Sequence, residues 1–284
     1  MLLDKSKWII PSAKDPRWLL CLFLGIYSVF GHFFLSFNRS MNQMITAVVA
    51  CVVLDMLYTW VLCRKILFPL SALISAFGLI ILFTAPGEIW FMLMVSWLTI
   101  TGKYVITWRG HHFFNPTNFA LVFMLIVAGE HTAIAPSYQW GSTWWMPIIV
   151  FALGLLLMWR VNKLPVVLSF WALFTLGAFV RSHASQMPLQ LTLWAQISGG
   201  AFMLFSFYMI TDPKTSPAST KGMILFGAAL GFVDTLFQIQ TAVFSIFYAL
   251  FTVTVIRGVY FIIQDMRVSV ANRDVPVTLA PKTS

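Results

Sequence analysis

The chain has 284 residues, of which 60% are hydrophobic and only 10% are charged, and its mean hydropathy is +0.86. A water-soluble globule needs about a quarter of its residues charged, so this composition excludes one and points to a polytopic membrane protein in a lipid bilayer. The formal charge of +9 implies no nucleic-acid partner, because Lys and Arg are dispersed between apolar runs and form no basic face.

The N-terminal segment, residues 1–17, lacks the basic, apolar and small-residue regions of a removable signal peptide in that order, and reads as a cytoplasmic segment. A bilayer core of about 30 Å takes about 20 apolar residues per helix. Ten segments between residues 18 and 263 meet that requirement loosely. They are Trp18–Phe37, Met41–Cys63, Phe68–Ala85, Ile89–Ile106, Thr117–Gly129, Trp144–Trp159, Leu164–Val180, Leu191–Ile210, Gly222–Ile239 and Ala242–Ile263. The fold class expected is therefore an all-α polytopic membrane protein with about ten transmembrane helices. Residues 264–284 read as a polar cytoplasmic tail.

With the N-terminus in the cytoplasm, sixteen of the eighteen Lys and Arg fall in inner segments and only Arg39 and Arg181 in outer ones. The positive-inside rule then places both termini in the cytoplasm of a multi-pass protein of the cell, or inner, membrane. Trp108, Trp140, Trp144, Trp145 and Trp159 lie near helix ends and read as an interfacial aromatic belt. Cys21, Cys51 and Cys63 stand singly in apolar segments and read as buried packing residues.

An internal repeat is visible. Ser71 to Gly78 leads into Thr84-Ala85-Pro86-Gly87 at the end of the third segment, and Ser198 to Phe205 leads into Thr211-Asp212-Pro213-Lys214 at the end of the eighth. An offset of five helices reverses direction across the membrane. The pattern therefore predicts a five-plus-five inverted repeat with halves at about 18–132 and 142–263.

Two polar stretches interrupt the oil. In the first, Gly102 to Asn118, residues Lys103, Arg109, His111, His112, Asn115 and Asn118 arrive together. Asn115-Pro116 has the form of a helix start, with Asn as cap and Pro in the first turn. Arg109, His111 and His112 have the chemistry to hold an anion or the carbonyl of a quinone or flavin. Adjacent histidines point different ways, so no metal site is expected.

The second stretch, Thr211 to Lys221, ends one helix at a Thr-x-Pro turn and starts another. Its Thr211, Asp212, Lys214, Thr215 and Ser216 offer side chains and helix-terminal N–H groups to a phosphate, a carboxylate or a cofactor edge. A plain capped loop is the alternative. Asp55, Asp234 and Arg257 are charges that fall well inside predicted helices. Asp55 and Arg257 have similar depth and read as an ion pair, whereas Asp234 has no partner in the sequence. No nucleotide-binding, serine-hydrolase or zinc-protease motif is present.

Trp108 to Val122, with Trp-Arg-Gly-His-His-Phe-Phe-Asn-Pro-Thr-Asn, resembles the R-x-x-F-N-P signature of the RnfD/NqrB membrane subunits. Ser198-Gly199-Gly200 followed by Met209 to Pro217 resembles their GG…ATDP-x-TSP signature. The pattern is most similar to the stand-alone branch called enediyne biosynthesis protein UnbU. The resemblance implies ten helices in two inverted repeats, electron transport with a flavin, and other membrane redox subunits as partners. The Ser-Gly-Ala-Thr site that carries covalent FMN in the redox subunits is missing here. A non-covalent flavin (FMN or riboflavin) or a quinone at the cytoplasmic helix ends, or no cofactor at all, is then open. A small-solute or ion transporter and a non-catalytic assembly subunit are the alternatives.

Overall fold

The computed structural model describes residues 8–35, 37, 39–108, 111–134, 145–197, 199–212, 215–240 and 242–273. Eleven α-helices are described: α1 Arg17–Phe34, α2 Met41–Cys63, α3 Leu70–Leu82, α4 Ile89–Val105, α5 Pro116–Ala128, α6 Trp145–Arg160, α7 Leu164–Ser185, α8 Leu189–Ile197, α9 Gly200–Leu204, α10 Thr220–Ile239 and α11 Ser245–Arg273. Six two-residue strands form three minimal pairs. Trp8–Ile9 (β1) runs parallel to Ile66–Leu67 (β2), Phe83–Thr84 (β3) antiparallel to Ala133–Ile134 (β6), and Thr107–Trp108 (β4) antiparallel to His111–His112 (β5).

Five helices (α1, α2, α7, α10 and α11) are long and apolar enough to cross a membrane, and five shorter apolar helices lie between them. The all-α membrane architecture follows. Exposed Leu, Ile, Val, Phe and Trp cover α2 and α11, as a lipid-facing surface requires, because every backbone group in a helix is satisfied within it. Trp108, Trp145 and Trp159 are exposed, as interfacial rings would be. Trp140 and Trp144 lie outside the described residues.

The eighth segment is not one helix. α8 stops at Ile197, Gly199 takes an extended conformation (φ −81°, ψ 133°), and α9 gives way to a π-helical turn, Phe205–Met209. Paired glycines are poor helix formers, which places the break there. α3 is also shorter than expected, because its chain turns extended at Phe83. α11 runs on past Ile263 to Arg273. Cys21 and Cys51 are buried as expected, but Cys63, in the last turn of α2, is exposed.

The described helices pack in two groups. α2 lies on α3 and α4, α1 on α3, and α4 on α5. Likewise α7 lies on α10, α6 on α9 and its π-helical turn, and α10 on α11. In each set a buried cation from the preceding loop clasps the end of the third member. Arg39 donates from Nε to Phe83 O at 2.7 Å and from Nη2 to Thr84 Oγ1 at 2.6 Å. Lys163 donates from Nζ to Ser216 Oγ and to Pro217 O, both at 2.8 Å. The freed carbonyls and hydroxyls at a stopped helix thereby gain charged donors.

Candidate functional site

Asn115 caps α5: its Oδ1 accepts from Asn118 N at 3.1 Å, with Pro116 in the first turn. Asn118, 1% exposed, donates from Nδ2 to Phe247 O at 3.2 Å, while its Oδ1 has no partner. The third residue of α5 thus meets the third residue of α11. Phe114 stacks on Phe251 at 5.1 Å, and Phe113 lies against Gly258, where an added Cβ would stand 2.6 Å from the ring. Trp108 Nε1 donates to Asp265 Oδ2 at 3.1 Å. From Asn118 to Trp108 the stretch therefore follows α11 from Phe247 to Asp265, about 27 Å at 1.5 Å per residue. The Trp108 end lies near the last turns of α11, and Asn118 lies at its opposite end.

Arg109 lies outside the described residues, as does Lys214. His111 and His112 are described only as the strand β5. No three His, Cys, Asp or Glu side chains converge among the described residues.

The second stretch meets α11 at the same turn. The π-helical turn closes with Ile210 N donating to Phe205 O at 3.2 Å, and Thr211 Oγ1 donates back to Phe207 O at 2.6 Å. Asp212 O accepts from Thr215 N at 3.2 Å and from Ser216 N at 2.9 Å, which folds the chain into a tight turn. Arg257, one residue before Gly258, donates from Nη1 to Thr215 O. Its guanidinium lies 5.8 Å from the Phe226 ring and 5.0 Å from the Phe261 ring. The Thr215 hydroxyl is buried without a partner. Lys163, 8% exposed, completes the group through Ser216. Burial pushes the Lys163 amine below its ordinary value; the Asp212 charge opposes that shift and the Arg257 charge adds to it.

The site therefore joins Phe113, Asp212, Thr215, Ser216, Arg257 and Lys163 around one turn of α11. The sequence placed Thr211 to Ser216 in the site and scored Lys163 only as an orienting charge. Its depth beside Ser216 had no signal in the chain. Chemically the arrangement offers cationic donors and an unused hydroxyl for acceptor oxygens, next to aromatic rings for a planar molecule.

The expected ion pair of Asp55 with Arg257 does not form. Asp55, 2% exposed, is paired instead with Lys103 of α4: Nζ lies 2.6 Å from Oδ1, and the same oxygen accepts from Tyr104 OH at 2.8 Å. Lys103 also donates to Ser71 Oγ at 2.7 Å. Similar depth put Asp55 and Arg257 together in the sequence, but α2 packs on α4 and not on α11. Asp234 is not isolated either. Its Oδ2 accepts from Gln238 Nε2 at 2.6 Å, and the Ser245 hydroxyl and the charge of Arg181, buried within α7, lie near enough to act on it.

These features define an all-α polytopic membrane protein with a polar site built on broken helices and lined by cations. A model of the NQR2, RnfD, RnfE family matches residues 132–250, from just before β6 into α11. The match takes in the π-helical turn, the Thr211–Ser216 turn, Arg181 and Asp234. No curated protein matches the chain.

Proposed function

We propose that this chain is an RnfD/NqrB-like protein with the stand-alone UnbU-type pattern, working in electron transport with a non-covalently held flavin or quinone. One observation carries the reading: two polar stretches about a hundred residues apart converge on Arg257–Gly258 of α11. A flavin or quinone ring is planar and edged with carbonyls. Phe113, Phe226 and Phe261 suit its faces, and Arg257 and Lys163 suit its oxygens. Arg257 spends one of its five N–H donors on Thr215 O. Arg109, His111, His112 and Lys214 belong to the same two stretches and complete the proposed lining.

Membrane redox subunits are the partners this reading calls for, and with the positive-inside rule it puts both termini in the cytoplasm. The test is bound flavin and quinone per protein in the parent and in Asp212→Asn and Arg109→Lys, beside monodispersity in detergent. Asn caps as well as Asp, and Lys keeps the charge of Arg without its planar fork. Loss of ligand with intact monodispersity supports the site; normal ligand in both variants refutes it.

A second reading is a small-solute transporter of inverted-repeat architecture. It is favoured by the packing of the helices in two groups, by the Arg39 and Lys163 clasps, and by the meeting of α5 and α11 through their third residues. We propose a five-plus-five inverted repeat on the same grounds. Solute flux in proteoliposomes, without any electron donor, separates transport from redox function.

A further inference from the structure

The α7–α10 interface contains buried groups that neither reading uses. The two helices run side by side in the same direction. Gly227 faces Val166 and Ser169, Gly231 faces Phe170 and Phe174, and Gly177 faces Thr235, so the backbones approach closely. Near their C-terminal ends lie Arg181, 4% exposed, and Asp234, fully buried.

These opposite charges are near enough to influence each other, yet they do not come within the 4.0 Å of an ion pair. The ion pairs among the described residues are Arg17–Asp15 and Lys103–Asp55. Arg181 Nη1 makes two long contacts, to Phe174 O at 3.3 Å and Thr235 Oγ1 at 3.4 Å. Its Nε and Nη2 have no partner, and neither does Asp234 Oδ1. Nε and Nη2 form one edge of the guanidinium, with parallel N–H bonds. Two donors and one acceptor are thus buried, charged and unpartnered, a combination that native interiors normally satisfy with a ligand or an ordered water.

We propose that Arg181 and Asp234 form a binding site for one small neutral hydroxylic molecule. Its oxygen accepts from Nε and Nη2 of Arg181, and its O–H donates to Oδ1 of Asp234. Water fits this description, as does the hydroxyl of a small alcohol. An anion would face Asp234 and a cation would face Arg181, so the balanced pair selects a neutral guest. The guest does here what direct contact does between Asp55 and Lys103. It bridges the charges and can exchange, whereas the α2–α4 pair is closed on itself.

The test is a high-resolution structure of the unaltered protein in lipid nanodiscs, once in plain buffer and once with ethylene glycol. A single-oxygen peak in plain buffer, within about 2.7–3.2 Å of both Arg181 and Asp234 Oδ1, supports the site with water as guest. A peak present only with ethylene glycol, and two-carbon in shape, supports it with an alcohol as guest. No peak in either, or a direct ion pair between the two side chains, overturns it. Neither outcome bears on the flavin or quinone reading, which rests on other residues.

Discussion

Replacing Asp55 by Asn should destabilise the protein by about 3 kcal/mol, the lower end of the cost of leaving one member of a buried ion pair unpaired. The side chain of Asp55 is 3% exposed and that of Lys103 is 13% exposed. The residual exposure lets the Lys103 ammonium relax a little towards polar surroundings, which is why the lower end applies. Asn preserves the shape, and its carbonyl can still accept from Tyr104 and Lys103, so the loss reports the charge itself. Removing both charges, in Asp55→Leu with Lys103→Met, should cost only about 1 kcal/mol. That remainder is the Tyr104 hydroxyl left without its acceptor, since an apolar pair of similar volume replaces a buried ion pair at little cost. Reversible unfolding in mixed micelles measures Asp55→Asn, and a double-mutant cycle of Asp55→Leu, Lys103→Met and their combination measures the coupling of the two positions. If the single substitution costs under about 1 kcal/mol, or if the effects of the two positions simply add, then the charges are solvated and the ion pair does not organise α2 against α4.

Gly231→Val should prevent folding of the α7–α10 pair, because the nearest atoms include Phe174 N at 2.9 Å and Phe170 O at 3.0 Å, backbone that cannot swing aside; loss of the monodisperse peak in detergent is the readout. Because the fold depresses the Lys163 pKa, it binds fewer protons there than the unfolded chain. Stability should therefore rise with pH across the interval just below the ordinary value of 10.5, and Lys163→Met should flatten that rise in unfolding measured between pH 8 and 10.5. In-gel fluorescence of denatured protein co-expressed with a flavin transferase should be dark, and a fluorescent band would contradict a non-covalent cofactor.

Much of the helical frame was legible because long apolar runs have one structural outcome in a bilayer. α2, Met41–Cys63, has the bounds its hydropathy suggests, and its Ser40 start carries a full capping box with Gln43. Asn115-Pro116 likewise announced α5 through local chemistry alone. Partner choice was less visible. Asp55 could be assigned a depth from its position in the run, but which helix faces it depends on lateral packing, and periodicity carries no record of that. The same gap hid Lys163, which in sequence is one more orienting charge and in the fold is a buried clasp on Ser216. The break at Gly199 and the π-helical turn after Leu204 also went unread, since the run from Leu191 to Ile210 carries no charge and glycine alone does not mark a break in a membrane helix.

The convergence on Arg257 and Gly258 is tested most directly by the visible absorption spectrum of the gently purified protein, with flavin and quinone assayed in its extract. The same measurement is made on Arg257→Leu. One extractable flavin or quinone per chain, lost in the variant while the protein stays monodisperse, is the expected result. A parent protein that carries neither molecule, or a variant that keeps its full complement, would contradict a cofactor site at this turn of α11.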